Sequence, residues 1–385
     1  MLPLTGLVVL DFSQFLAGPS AALRLADMGA RVIKVERPQG GDASRNLSLN
    51  NQWINNDSLL FHTINRGKES YTANLKELQE LAAVKQLIAQ ADVLIENFRP
   101  GVMDKIGLGY EQAKALNPRL VYASVTGYGT EGPWVKKPGQ DLLVQAMSGL
   151  TWLNGNQDQP PTPFALSVAD SLAGAHLVEG ILACLIRRGK TQLGGRVEVS
   201  LMESLLSMQF EVLTTWLNDG HQPPCRSAEN NAHAYLAAPY GIYPTQQGYI
   251  ALAMGSVVEL GEILGSPELA EYRKPDEWFS RRDEIKQVIA GILATDSAAF
   301  WVTRLEEAGY WCAEVCDWQT LTASEGFEAL DMIQHVRLED GNTIAMLKSP
   351  LRFNGARVSS SRPAPALGAS SAQIQADFHL REVEK

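Results

Sequence analysis

Short apolar runs alternate with helical patterns through residues 5–200, and this rhythm constrains the fold more than any other feature of the chain. GLVVLDFS at 6–13 reads as a buried strand. AGPSAALRLADMGA after it reads as a helix, with Pro19 in its first turn and Gly29 as its stop. RVIKVE is a second strand, VKQLIAQ a helix, ADVLIEN a strand, YEQAKALN a helix and LVYASVTGYG a strand. Strands that alternate with single helices are βαβ units, and such units build a parallel sheet. Further helices are expected over 141–153 and 171–188, and RVEVSLMESLLSMQFEVLTTWL reads as a strand turning into a long amphipathic helix. The fold class is therefore α/β.

The rhythm changes at GHQPPCRS, residues 220–227, which has the chemistry of a turn or linker. YGIYPTQQGYIALAMG then looks like a hairpin turning at 246–248, followed by helices at RDEIKQVIAGILA and AAFWVTRLEEAG. Three segments result: a large domain over 1–220, a smaller α+β domain over 225–325, and a C-terminal return over 326–385. The return contains SPLRFNGARVSSSRPAPALG, which is expected to be extended and to pack on the large domain. A chain of 385 residues is long for one core, and 45% hydrophobic residues supply enough for two.

Composition narrows the function. The net charge of −10 argues against bulk nucleic-acid or membrane-surface binding. No uninterrupted apolar stretch reaches the roughly 18 residues of a membrane span, and the opening residues lack the basic region of a signal peptide. Cys184, Cys225, Cys312 and Cys316 are scattered, without zinc-site spacing, so no metal is expected and reduced thiols in a cytoplasm are the simplest reading. Glu36 ends the second strand where a ribose-binding acid would sit. The first βα turn, however, holds only Gly18 before Pro19, and G-x-G-x-x-G is absent.

Asp170 lies in PFALSVADSLAGAHLVEGILACLIRR, between a strand-like stretch and a long apolar helix. A carboxylate there either caps the helix or is held in a cleft as a nucleophile or base, and the pattern leaves both open. Gln140 and Asp141 precede a helix. Asp141 could cap it or face Asp170. His176, six residues after Asp170, is turned about 240° away on a helix and reads as a packing residue. Arg37, Lys76, Arg99, Lys105, Lys136 and Lys137 cluster at strand ends and βα turns, where open α/β folds bind ligands and where cations can hold phosphate. NFRPG adds an amide and an aromatic face beside Arg99. That set could hold a nucleobase, or it could be a turn whose Phe98 packs inward.

These residues resemble the class III coenzyme A transferases, a family that includes formyl-CoA, oxalate and carnitine CoA-transferases and the 2-methylacyl-CoA racemases. The resemblance is carried by GLVVLDFSQFLAGPSAALRLADMGARVIKVERPQGGDASR, by ADVLIENFRPGVMDKIGLGYEQAKALNPRLVYASVTGYG, and by GQDLLVQAMSGL with ALSVADSLAG. It implies a Rossmann-like large domain, a smaller α+β domain and an interlocked homodimer. It implies that Asp170 is the catalytic carboxylate and that coenzyme A contacts fall on Leu16, Ala17, Arg37, Leu75, Lys76, Asn97, Phe98, Arg99, Lys105 and Lys137. Gln140 and Asp141 would lie on the substrate side. The partners would be an acyl-CoA and a carboxylic acid, with no cofactor permanently bound. Racemase relatives carry His where this chain has Gln140, and Gln carries no proton, which favours transfer over racemisation. The formyl-CoA enzymes have Gln at the position of Leu16 and a run of glycines in the small domain. Between Gly220 and Gly261 this chain has no adjacent glycines, and Leu16 suggests a larger or less polar acyl group. The alternatives are an acyl-CoA racemase working by α-proton exchange and a CoA-binding protein without catalysis.

Overall fold

The computed structural model of the protein describes residues 1–380. Six parallel strands form the central sheet: β1 Val8–Asp11, β2 Arg31–Glu36, β3 Glu69–Thr72, β4 Val93–Glu96, β5 Val121–Thr126 and β6 Gly195–Ser200. Their order is β3-β2-β1-β4-β5-β6, so the chain reverses direction across the sheet between β1 and β4. That reversal is the switch point at which doubly wound sheets bind ligands, beyond the carboxyl ends of the strands. β3 was not legible in the sequence. ESYT is short and polar at both ends, and it is a strand because Ile33 to Glu36 pair with it.

Local chemistry sets the element boundaries. The helix Ala17–Asp27 ends as its sequence suggests, because Gly29 adopts φ +101. The N–H of Ala30 then bonds the carbonyl of Leu25, and that of Gly29 bonds Ala26, satisfying carbonyls the helix leaves open. The helix expected over 141–153 stops at Ser148, where Gly149 turns to φ +86 and a short 3-10 turn, Leu150–Trp152, follows. The long helix that carries Asp170 runs over Val168–Thr191. Its length and composition would let it cross a membrane. Instead, a Cβ on Gly180 would meet Val197 of β6 at 2.4 Å, so the helix lies tight on the sheet.

Two compact units emerge. The first comprises 1–144, 167–208 and 331–380; the second comprises 145–166 and 209–330. These bounds depart from the sequence-based segmentation by moving 145–166 and 209–220 out of the first unit. The core of the first unit packs Leu10, Ile33, Val84, Leu87, Ile88 and Leu94, all fully buried, with Ile374 from the C-terminal stretch. Each such aliphatic contributes roughly 1.5–3 kcal/mol by leaving water. The second unit holds the expected hairpin, Gly241–Pro244 with Tyr249–Leu252, joined by Cys312–Glu314. Its core packs Tyr243, Ile250, Leu260, Ile285, Ile289 and Trp301. Residues 331–380 are not wholly irregular: Ile333–Arg337 pairs with Thr343–Leu347, and Ser371–Asp377 is helical.

Candidate active site

The turn after β1 is the most heavily braced piece of chain at the carboxyl edge of the sheet. It leaves the strand at Asp11 and enters the helix at Ala17, with Leu16 as N-cap. Asn97, just past β4, grips it in both directions. Its Oδ1 accepts the N–H of Gln14 at 2.8 Å, and its Nδ2 donates to the Gln14 carbonyl at 2.7 Å. Asp42 accepts the N–H of Phe15 at 3.2 Å. Two buried ammonium groups hold the ends. Lys34 donates to the Ser13 carbonyl at 2.8 Å and lies 2.7 Å from Asp42, while Lys68 donates to the Pro19 carbonyl at 2.9 Å and to Asp11 and Asn65 at 2.8 Å each.

This network is buried, so its charges must be paired to persist. Burial alone would raise the Asp11 carboxyl, but Lys34 and Lys68 outweigh it and hold it below its ordinary range. Burial pushes Lys68 down to about 8, even with Asp11 in contact. Beside it, Glu36 binds Arg45 through both oxygens at 2.8 Å and accepts the N–H of Asp42 at 2.9 Å. The loop carrying Arg37 is thereby tied to the same framework.

Asp170 is the third residue of its helix and not the cap. Its N–H, one of the four that a helix leaves without a partner, donates to Asp141 Oδ2 at 3.0 Å. Asp141 thus caps a helix other than its own. It is brought there by Gly127 and Gly139, which pinch the loop after β5 so closely that a Cβ on Gly127 would come within 2.4 Å of the Gly139 Cα. One turn beyond Asp170, Gly174 performs the corresponding task for the helix: a Cβ there would lie 2.8 Å from the Ala17 carbonyl oxygen. The small residue lets the helix that carries Asp170 pack tightly against the first turn of the helix after β1. The carboxyl is half-buried. Burial first, and the Asp141 charge second, push it up to about 7.

The remaining residues expected from sequence follow successive strand ends. Arg37 leaves β2, is exposed, and donates Nε to the Gly41 carbonyl at 2.9 Å. Leu75, which packs on the core, and Lys76, which is exposed, follow β3. Arg99 and Lys105 are exposed beyond β4, and Lys137 and Gln140 are exposed beyond β5. The Asn97 amide bonds the Gln14 backbone and clamps the turn, and Phe98 is half-buried and packs against the core. His176 turns away from Asp170 and bonds Ser204 Oγ at 3.0 Å.

The sequence reading missed Asp11, Lys34, Asp42 and Lys68. The available signal was a charge inside an otherwise apolar strand, as in RVIKVE. Among the described residues no cluster of three or more His, Cys, Asp or Glu side chains is arranged to hold a metal ion. A cavity of about 720 Å³ in the second unit is lined by Trp152, Leu213, Trp216 and Tyr235, and by none of the residues at the sheet's carboxyl edge.

Comparison with known proteins shows the family. The profile of CoA-transferase family III matches residues 4–371. An acetyl-CoA:oxalate CoA-transferase of Acetobacter aceti is 32% identical over 99% of this chain and 97% of its own. A succinate–glutarate CoA-transferase of Agrobacterium fabrum is 32% identical over 99% of this chain and 96% of its own. A CAIB/BAIF family protein from Brucella suis superposes with a TM-score of 0.84 at 30% identity, covering 98% of this chain and 99% of its own. A match running through nearly the whole chain, from the braced turn to the C-terminal helix, places this protein in CoA-transferase family III.

Proposed function

We propose that this CoA-transferase moves coenzyme A from an acyl-CoA to a free carboxylic acid with Asp170 as the nucleophile. The observation that carries the reading is the Asp170 carboxyl itself. It is half-buried at a helix start, with Asp141 fixing its N–H and, one turn on, Gly174 packed against the Ala17 carbonyl. The Asp170 carboxylate attacks the donor thioester, forming an aspartyl anhydride and releasing CoA thiolate. The thiolate attacks the aspartyl carbonyl, giving an aspartyl-CoA thioester and the donor acid. The acceptor carboxylate attacks that thioester and again frees the thiolate, which takes the acceptor acyl group and restores Asp170. Each activated bond is exchanged for one of similar energy, so no other energy source enters.

A carboxylate is a weak nucleophile, and positioning supplies much of the rate. The first-turn N–H groups of Ala17 and Gly18 have no carbonyl to bond within their own helix and suit the oxyanion of each tetrahedral intermediate. Arg37, Lys76, Arg99, Lys105 and Lys137 hold the phosphates of coenzyme A, with Leu16, Ala17, Leu75 and Phe98 along its apolar parts. Binding energy from this remote tail positions the thioester. The relatives' names point to short dicarboxylic acids as the acceptors to try first. The working form is an interlocked homodimer in the cytoplasm. Support for a partner comes from the helix Phe210–Asn218, which buries none of its side chains although Phe210 is 64% and Leu217 55% exposed.

Intact-protein mass spectrometry after mixing with an acyl-CoA alone tests the mechanism. The wild type gains the mass of coenzyme A less one water, and the Asp170→Ala protein gains nothing and exchanges nothing. Turnover by Asp170→Ala at the wild-type rate would remove Asp170 from the reaction.

A further inference from the structure

Phe15 occupies a backbone conformation that its side chain disfavours. Its φ is +64, in the left-handed region, where Cβ crowds the following carbonyl. Every other non-glycine residue in that region, among the described residues, is Asn, Asp, His or Gln. Glycine would take the conformation without steric cost. A bulky apolar residue persists there only when the surroundings hold it, and such outliers gather at ligand sites.

The surroundings do hold it. The Phe15 N–H is fixed by Asp42, which is itself held by Lys34. On one side both backbone groups of Gln14 are fixed by Asn97. On the other, Leu16 caps the helix whose Ala17 carbonyl abuts Gly174. The backbone of this turn is therefore held on both sides, yet Phe15 stands 54% exposed. It does so at the switch point of the sheet, beyond the end of the central strand β1. A framework of buried charges that fixes a strained backbone and leaves its aromatic ring outside the core suits a ring that contacts a ligand.

We propose that Phe15 is a specificity-determining residue, its ring forming a wall against the acyl group carried on Asp170 and bounding the size of acid the enzyme accepts. The inference rests on Asp170 as the nucleophile. It gives the pocket an apolar face, supplied by Phe15 and Leu16, that limits the length of the acid.

The test compares kcat/KM for acceptor acids of rising length, from oxalate through succinate and glutarate to suberate, in the wild type, Phe15→Gly and Phe15→Asn. Both substitutes tolerate the left-handed backbone, so both proteins should fold with a Tm equal to or above that of the wild type. Removing the wall should raise the suberate-to-succinate ratio by about tenfold or more in both variants, as expected for lost or gained contacts of a few methylenes. An unchanged ratio in both variants overturns the proposal. So does a changed ratio accompanied by a change of oligomeric state in sedimentation, which would assign the ring to a subunit contact. The Asp170 reading fails separately, through exchange by Asp170→Ala, and the ratio is measured only on proteins that are active.

Discussion

The pairing of Asp141 with Asp170 makes a prediction that separates charge from geometry. Asp141 does two things: its Oδ2 accepts the Asp170 N–H at 3.0 Å, and its negative charge helps burial push the Asp170 carboxyl up to about 7. Asp141→Asn keeps an acceptor oxygen for the N–H and removes the charge. Burial is the larger cause of the rise, so the variant should not return to the ordinary 3.8. A neighbouring like charge in a partly buried site is worth on the order of one pKa unit, ~1.4 kcal/mol, so the acid limb should move by about that much. The nucleophile must be ionised, so kcat/KM follows its deprotonation in the free enzyme. The assay is the rate of CoA transfer between about pH 5 and 9. The wild-type acid limb should be half-maximal near 7 and that of Asp141→Asn about one pH unit lower. At about pH 6 the variant should therefore run roughly fivefold faster relative to its own plateau, with the two plateaus similar. A limb that stays in place would show that the Asp141 charge does not reach Asp170. A collapsed plateau with an unmoved limb would show that the carboxylate matters only as a cap.

Two further outcomes follow from the same electrostatics. The folded-state pKa of Asp170 lies above its unfolded value, so the carboxyl binds more protons when folded, and its contribution to stability falls as pH rises from about 4 through about 7. Asp170→Asn should therefore be more stable than the wild type at pH 8, by roughly 1–3 kcal/mol after allowing for partial exposure, and equal to it below about pH 4, as read by urea melts at both pH values. Lys68→Met removes the ammonium that binds Asp11, Asn65 and the Pro19 carbonyl, and leaves a buried carboxylate with Lys34 at 3.7 Å as its remaining cation. Loss of a partner from a buried pair costs about 3–5 kcal/mol, so its thermal midpoint should fall by roughly 4–10 degrees; a shift of a degree or less would mean that Asp11 protonates or finds water instead.

What the sequence revealed of this arrangement depended on whether the cause was local. β1, β2, β4 and β5 announce themselves because strands covered on both faces of a parallel sheet are continuous apolar runs, and Gly29 marks a helix end because one left-handed residue suffices. The role of Asn97 could not be read locally. Its partner, Gln14, is 83 residues away, and the same amide would look identical whether it faced a ligand or a turn. The position of Asp170 was ambiguous for a related reason. The sequence left Asp170 as either a cap or a cleft carboxylate, and its N–H is instead met by Asp141 arriving from another strand end. Asp11 and Lys34 are different, because their signal was present and unused. In a strand buried on both faces a charge cannot alternate out to solvent, so it must meet its partner at the strand's end or inside the sheet. Asp11 closes β1, Lys34 lies in β2 beside it, and the two strands pair at that register, Asp11 opposite Lys34. Opposite charges at matching positions of neighbouring apolar strands therefore mark the carboxyl edge of the sheet and its braced turn within the amino-acid pattern itself. The strained Phe15 that the turn presents is the part no pattern could have supplied, because its conformation is imposed by Asp42 and Asn97 from elsewhere in the fold.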